Sequence, residues 1–192
     1  MEDLSKHGLD KLLIPVQKVV VMDGIFRWPK KVVLASVEAA DRLPLRQLGV
    51  LLKRQLRVQS RIISNSIDSA TVRIRRAQSI RGHEAYRIHI HSDGIEIFAI
   101  SDVGAYYAVQ PLCDLIAICG RALPACRIED WPNFARRGVY HDCSRGKVPK
   151  MSTLKQLVER LAHWKYNELQ LYIENVFTFK RHPDIGKGYS PF

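Results

Sequence analysis

The run HDCSRGKVP, residues 141–149, places Asp142 and Arg145 three positions apart, directly after the short apolar stretch RGVYHDC. A second apolar stretch, LQLYIENVF, carries Glu174 near its far end. A guanidinium presents several fixed N–H donors and a carboxylate presents only acceptors. Arg145, Asp142 and Glu174 at neighbouring strand ends are therefore candidates for gripping a polar ligand. Each also has a plainer role: Arg145 as a surface ion pair, Asp142 as an N-cap or as Arg145's partner, and Glu174 as an exposed loop carboxylate. His89 and His91 stand at i, i+2 on one strand face, the spacing of a metal-binding pair. No third ligand is evident, so a solvated strand face is expected and no metal. Cys113, Cys119, Cys126 and Cys143 form no CxxC pair, which argues against zinc. Their apolar surroundings suit small buried thiols in a reducing compartment. No cofactor is expected.

The elements that would position Arg145 are readable. RGVYHDC reads as a strand. Thr153 and Gln156 fit a capping box, and Leu154, Leu157, Val158, Leu161 and Trp164 form a helical apolar stripe whose leucines and Trp164 are expected to be core. Asn167 marks a turn, and LQLYIENVF reads as a second strand. Strand, helix, strand implies a βαβ unit with parallel strands. Such a pair belongs to a larger doubly wound sheet or a (β/α)8 barrel, and a barrel needs ~250 residues. The fold that begins here is expected to continue past Phe192. The tail, with His182 and Tyr189, assigns no role by itself.

The preceding residues read as an α+β domain: an antiparallel sheet with helices on one face. LLIPVQKVVVMDGIFRWP is an extended entry and KKVVLAS a short strand. Leu45, Leu48, Leu52 and Leu56 mark a helix over about 44–56, with its proline in the first turn. SNSIDSA is a polar turn, and TVRIRRA alternates as a half-exposed strand. In EAYRIHIHSDGIEIFAI, Tyr86, Ile88 and Ile90 face one way and Arg87, His89 and His91 the other. Ser92-Asp93-Gly94 signals a hairpin turn through positive φ. In the following helix, Ser101 or Asp102 is the N-cap and Pro111 is expected to kink it near Tyr107. CRIEDWPNFARRG reads as the boundary, giving domains 1–130 and 131–192.

The chain has 192 residues, 46% hydrophobic and 26% charged, ordinary for a globular protein. Charges interrupt every apolar run, so no membrane span is expected. MEDLSKHGLDK lacks the basic start and apolar stretch of a secretory signal, and the chain as written reads as cytoplasmic unless a leader precedes it. The formal charge is +11 and the isoelectric point about 9.7. Much of the excess comes from Arg42, Arg46, Lys53, Arg54, Arg57, Arg61, Arg73, Arg75, Arg76 and Arg81. No nucleic-acid motif accompanies them, and no nucleic-acid partner is expected. The alternative reading is a stand-alone basic module for nucleic acid or an acidic glycan. A third is an interaction domain that completes its open strand edge with another chain. Sequence leaves the oligomeric state open.

Three blocks carry a resemblance: SDVGAYYAVQPLCDL, RIEDWPNFARRGVYHDCSR and LKQLVERLAHWKYNELQLYIENVF. In order and spacing they resemble the family 20 glycoside hydrolases, the β-N-acetylhexosaminidases. The resemblance implies an accessory domain followed by a (β/α)8 barrel whose first βαβ this chain contains. It implies removal of terminal N-acetylhexosamine from glycans with retention, the substrate's acetamido oxygen acting as nucleophile. The family's adjacent Asp-Glu pair has no counterpart here: no aspartate is followed directly by a glutamate, so no catalytic residue is assigned and the chain alone is expected to be inactive. The resemblance assigns Arg145 to the hydroxyls of the terminal sugar and Asp142 to its support. Two positions depart from the family pattern: YIENVF, with Tyr172 and Glu174 where many members have histidine and aspartate, and Pro111.

Overall fold

The computed structural model describes residues 9–65, 67–78, 80, 82–145, 148–175, 177–188 and 190. Arg81 and Tyr189, singled out above, lie outside the described residues. The chain folds as two compact units, Met1–Asn133 and Phe134–Phe192.

The first unit contains strands β1 (Lys18–Arg27), β2 (Lys31–Ala35), β3 (Gln59–Ile63), β4 (Val72–Arg76), β5 (Tyr86–Ile90), β6 (Ile95–Ala99) and β7 (Ala122–Asp130), with helices α1 (Arg42–Leu56) and α2 (Asp102–Cys119). One seven-stranded sheet forms in the order β1-β7-β5-β6-β4-β2-β3. It is mixed, not antiparallel as expected. β3, β2, β4 and β6 run parallel, and β6, β5, β7 and β1 alternate in direction. Helix α1 lies between β2 and β3 in sequence, and a helical crossover returns the chain to the same end of the sheet. β3 escapes sequence reading because QSRII is five residues long and lacks alternation. β7 escapes because its CRIED half looks like a polar linker. It is instead an interior strand between β1 and β5. Its Pro124 pairs with Ile25 beside the register shift in β1, where a missing donor is tolerated.

Alternation decides which sheet face is buried. Tyr86, Ile88, Ile90, Ile95, Ile97, Val72 and Ile74 are at most 1% exposed and share the core with Leu45, Leu48 and Leu52 of α1. Each fully buried side chain of this size contributes about 1.5–3 kcal/mol. In α2, Ser101 is the N-cap, accepting from the Gly104 amide at 3.1 Å. A Cβ on Gly104 would lie 2.7 Å from the Ala85 carbonyl, so glycine is what lets the helix approach the chain before β5. The helix continues through buried Pro111 to Cys119. The β5–β6 hairpin closes through the His91 amide donating to the Gly94 carbonyl at 2.9 Å. Neither Asp93 nor Gly94 has positive φ, contrary to expectation. Gly94 instead relieves crowding, since a Cβ there would meet the Thr71 carbonyl at 3.3 Å.

Two polar devices are built into this core. Asp41 is fully buried and receives both Nη atoms of Arg76, at 3.0 and 2.9 Å, plus the Ser36 hydroxyl at 2.5 Å. Tyr86 donates to Asp130 at 2.8 Å. Burial first, and then the Asp130 carboxylate, push the Tyr86 phenol well above its ordinary value. None of the four cysteines is in a disulfide, and burial pushes Cys113 and Cys126 up to about 12.

The second unit contains β8 (Gly138–Asp142), α3 (Met151–His163) and β9 (Glu168–Tyr172). β8 and β9 are parallel, with Gly138 opposite Glu168 and Asp142 opposite Tyr172. Asn167 ties the strand entrances together: its Oδ1 accepts from the Arg137 amide at 2.9 Å and its Nδ2 donates to the Ala135 carbonyl at 2.8 Å. Two expectations fail in α3. Its N-cap is Lys150 with no side-chain cap, and Thr153 lies inside the helix, so no capping box forms. Of the apolar stripe only Leu161 is buried; Val158 is 52% and Trp164 40% exposed. Two short strands offer too narrow a surface to cover the whole stripe. Among the described residues no helix is long and apolar enough to cross a membrane.

Arg76→Ala leaves the Asp41 carboxylate buried without its guanidinium and should cost about 3 kcal/mol in urea unfolding. Tyr86→Phe should cost about 2 kcal/mol at neutral pH. Because the folded phenol sits above the ordinary value of about 10, the wild type should lose stability as pH rises past that value, where only the unfolded tyrosine ionises. Urea midpoints at neutral and strongly alkaline pH should show a smaller alkaline loss in Tyr86→Phe.

Candidate functional site

The candidate residues lie at the C-terminal ends of β8 and β9. Parallel pairing places Asp142 beside Tyr172, and the backbone contact continues one residue further, the Cys143 amide donating to the Tyr172 carbonyl at 2.8 Å. The segments that follow therefore leave the sheet side by side.

Asp142 organises the turn after β8. Its Oδ1 accepts from the Ser144 amide at 2.8 Å, the Ser144 hydroxyl at 2.8 Å and the Arg145 amide at 3.3 Å. It thus bonds the backbone of Arg145 and does not cap α3, and the nearby Arg145 charge also favours the carboxylate. The Ser144 amide, then its hydroxyl, hold the Asp142 carboxyl below the usual carboxylate range. Ser144 was missed in sequence, although a serine two residues after an aspartate is an Asx-turn signal.

Arg145 emerges from this turn with its side chain 71% exposed, and its Nη2 donates to Glu174 Oε1 at 2.6 Å. The same carboxylate oxygen accepts from the Tyr172 hydroxyl at 2.5 Å. The guanidinium carbon stands 6.0 Å from the centre of the Tyr172 ring, and that ring lies 5.6 Å from the ring of Tyr140. The hydrogen bond to Glu174 pushes the Tyr172 phenol above its ordinary value. Glu174 has a left-handed φ of 48°, a conformation that costs an L residue about 1–2 kcal/mol. Arg145 and Glu174 are thus brought together directly, with Tyr172 as a third member, and Asp142 acts one step back by holding the turn. A five-donor guanidinium held by one carboxylate can still donate to hydroxyls or to an acidic ligand. Gly146 and Lys147, within the same motif, lie outside the described residues.

A sequence model described as glycosyl hydrolase family 20, domain 2, matches residues 12–131. The chain belongs to glycosyl hydrolase family 20. The matched region falls within the mixed-sheet unit. N,N'-diacetylchitobiase of Vibrio harveyi is 29% identical over 90% of this chain and 19% of its own length. A beta-N-acetylhexosaminidase of Cellulomonas fimi is 33% identical over 54% of this chain and 22% of its own length. This family 20 chain spans 11% to 22% of the length of these and similar curated relatives. Its fold is shared with the GH20 beta-N-acetylhexosaminidase of Streptomyces coelicolor A3(2), with a TM-score of 0.80 at 23% identity, covering 91% of this chain and 38% of that one.

Glu174→Gln removes the anionic acceptor of the Tyr172 hydroxyl. In a spectrophotometric tyrosine titration, the phenol assigned by comparison with Tyr172→Phe should ionise at lower pH in Glu174→Gln than in the wild type. An unchanged titration would mean that Tyr172 and Glu174 are not bonded in solution.

Proposed function

We propose that this chain is the N-terminal portion of a retaining glycoside hydrolase that removes terminal N-acetylhexosamine from glycans by substrate-assisted catalysis. The mixed-sheet unit serves as the accessory domain, and β8-α3-β9 opens a (β/α)8 barrel. The observation that carries this reading is the placement of Arg145 at the C-terminal end of β8, beside the end of β9. Ligand sites of such barrels are built at those strand ends.

In this reading Arg145 donates to hydroxyls of the terminal sugar. Glu174 and the Tyr172 hydroxyl keep the guanidinium from swinging free, which lowers the entropy lost when sugar binds. Asp142 sets the turn from which Arg145 projects. The exposed ring of Tyr140 and the half-buried ring of Tyr172 offer an apolar wall beside it. The reaction joins the acetamido oxygen to the anomeric carbon while an acid protonates the departing glycosidic oxygen, and water then restores the sugar with retained configuration. The carboxylates for those proton and charge movements belong to strands beyond this chain, since its sequence holds no Asp-Glu step.

The 192-residue chain should give no sustained turnover of an aryl N-acetylglucosaminide. The polypeptide extended past Phe192 should hydrolyse it. Arg145→Ala in that longer form should lower kcat/KM by roughly tenfold to a hundredfold, the scale of one charge-assisted hydrogen bond. Sustained turnover by the short chain, or full activity of Arg145→Ala, would overturn the assignment.

A further inference from the structure

The sheet face opposite α1 and α2 carries a second cluster. Strand pairing sets Arg73, Glu96, His89 and Arg127 in one row across β4, β6, β5 and β7, and Arg75, Phe98, Arg87 and Glu129 in the next. His91 shares the strand face of His89. One donor atom from each of His89, His91 and Glu96 can be chosen so that all three lie within 4.8 Å of one another. Sequence supplies the two histidines but not the third donor, because Glu96 comes opposite His89 only through the hairpin register.

Three details favour a ligand over a solvated face. The Nε2 of His89 is buried with no hydrogen-bond partner among the described residues, a state that ordinarily costs free energy. The imidazoles of His89 and His91 meet edge to face, with centroids 5.8 Å apart at 89°, so nitrogen lone pairs from both can converge without stacking. The contacts of Glu96 with Arg73, at 2.8 Å, and Arg75, at 3.5 Å, both use Oε1, leaving Oε2 for another partner.

We infer that His89, His91 and Glu96 form a binding site for a borderline divalent cation of the zinc type, the fourth position being taken by water. Two imidazoles and one carboxylate are a zinc donor set, whereas calcium and magnesium prefer oxygen ligands throughout. Tetrahedral zinc needs donor atoms about 3.4 Å apart, so the donors must draw together from their present separation of up to 4.8 Å. Burial above all, with Arg127, His91 and Arg87 nearby, holds the His89 imidazole below its ordinary value. The same arginines repel any dication, so only a cation that bonds strongly to imidazole nitrogen would overcome them. A bound ion would clip β5 to β6 across the hairpin and stabilise the first unit by linkage.

The test uses the whole 192-residue chain, stripped with EDTA and titrated with zinc chloride by calorimetry, with thermal unfolding in parallel. One equivalent should bind and Tm should rise at ~100 µM zinc, with no rise for magnesium. His89→Ala and His91→Ala should each weaken binding by at least ~10-fold, and Glu96→Gln by less. His91 lies just past the end of β5, so His91→Ala keeps the test decisive if His89→Ala does not fold. Cobalt should give tetrahedral visible bands that His91→Ala abolishes. No zinc binding at ~100 µM, or binding unchanged by His91→Ala, would overturn the site. The readouts do not depend on hydrolysis.

Discussion

The first unit depends on one constraint: successive side chains of a strand point to opposite faces of the sheet. Once Ile88, Ile90, Ile95 and Ile97 are committed to the helix-covered side, Arg87, His89, Glu96 and Phe98 have no choice but the other. The apolar core and the polar cluster are therefore one decision, made by burial. Slipping β5 by one residue would bring histidine and arginine into the core, a loss far larger than anything the polar face could recover.

The same economy appears in the polar groups the core retains. Asp41 survives full burial because Arg76 binds it through two nitrogens and Ser36 through a third contact. It sits just ahead of α1, so the pair also fixes where that helix begins relative to β4. Tyr86 and Asp130 do comparable work between β5 and β7, the interior strand that lies between β5 and β1.

In the second unit the governing fact is parallel direction. Antiparallel strands would carry their following segments to opposite ends. Parallel β8 and β9 deliver Arg145 and Glu174 to the same end, where their ion pair and the Tyr172 hydroxyl join two turns far apart in sequence. Exposure makes that ion pair a weak source of stability. Its value is positional, since it limits where the guanidinium can point.

The sequence by itself determined the local periodicities: the Leu45–Leu48–Leu52 stripe, the alternating hairpin of β5 and β6, the strand–helix–strand order of β8, α3 and β9, and the Arg145 motif at a strand end. Each arises from neighbours a few residues apart, and short-range sterics and burial suffice to predict them. The mixed sheet, the interior position of β7 and the third donor Glu96 were decided only by tertiary structure. So was the exposure of Trp164, which periodicity alone assigns to a core. A strand such as CRIED carries no mark of which strands will flank it, and a helix stripe states that a face is apolar without stating what covers it. Those outcomes rest on hydrogen bonds and packing between segments tens of residues apart, which no local pattern encodes.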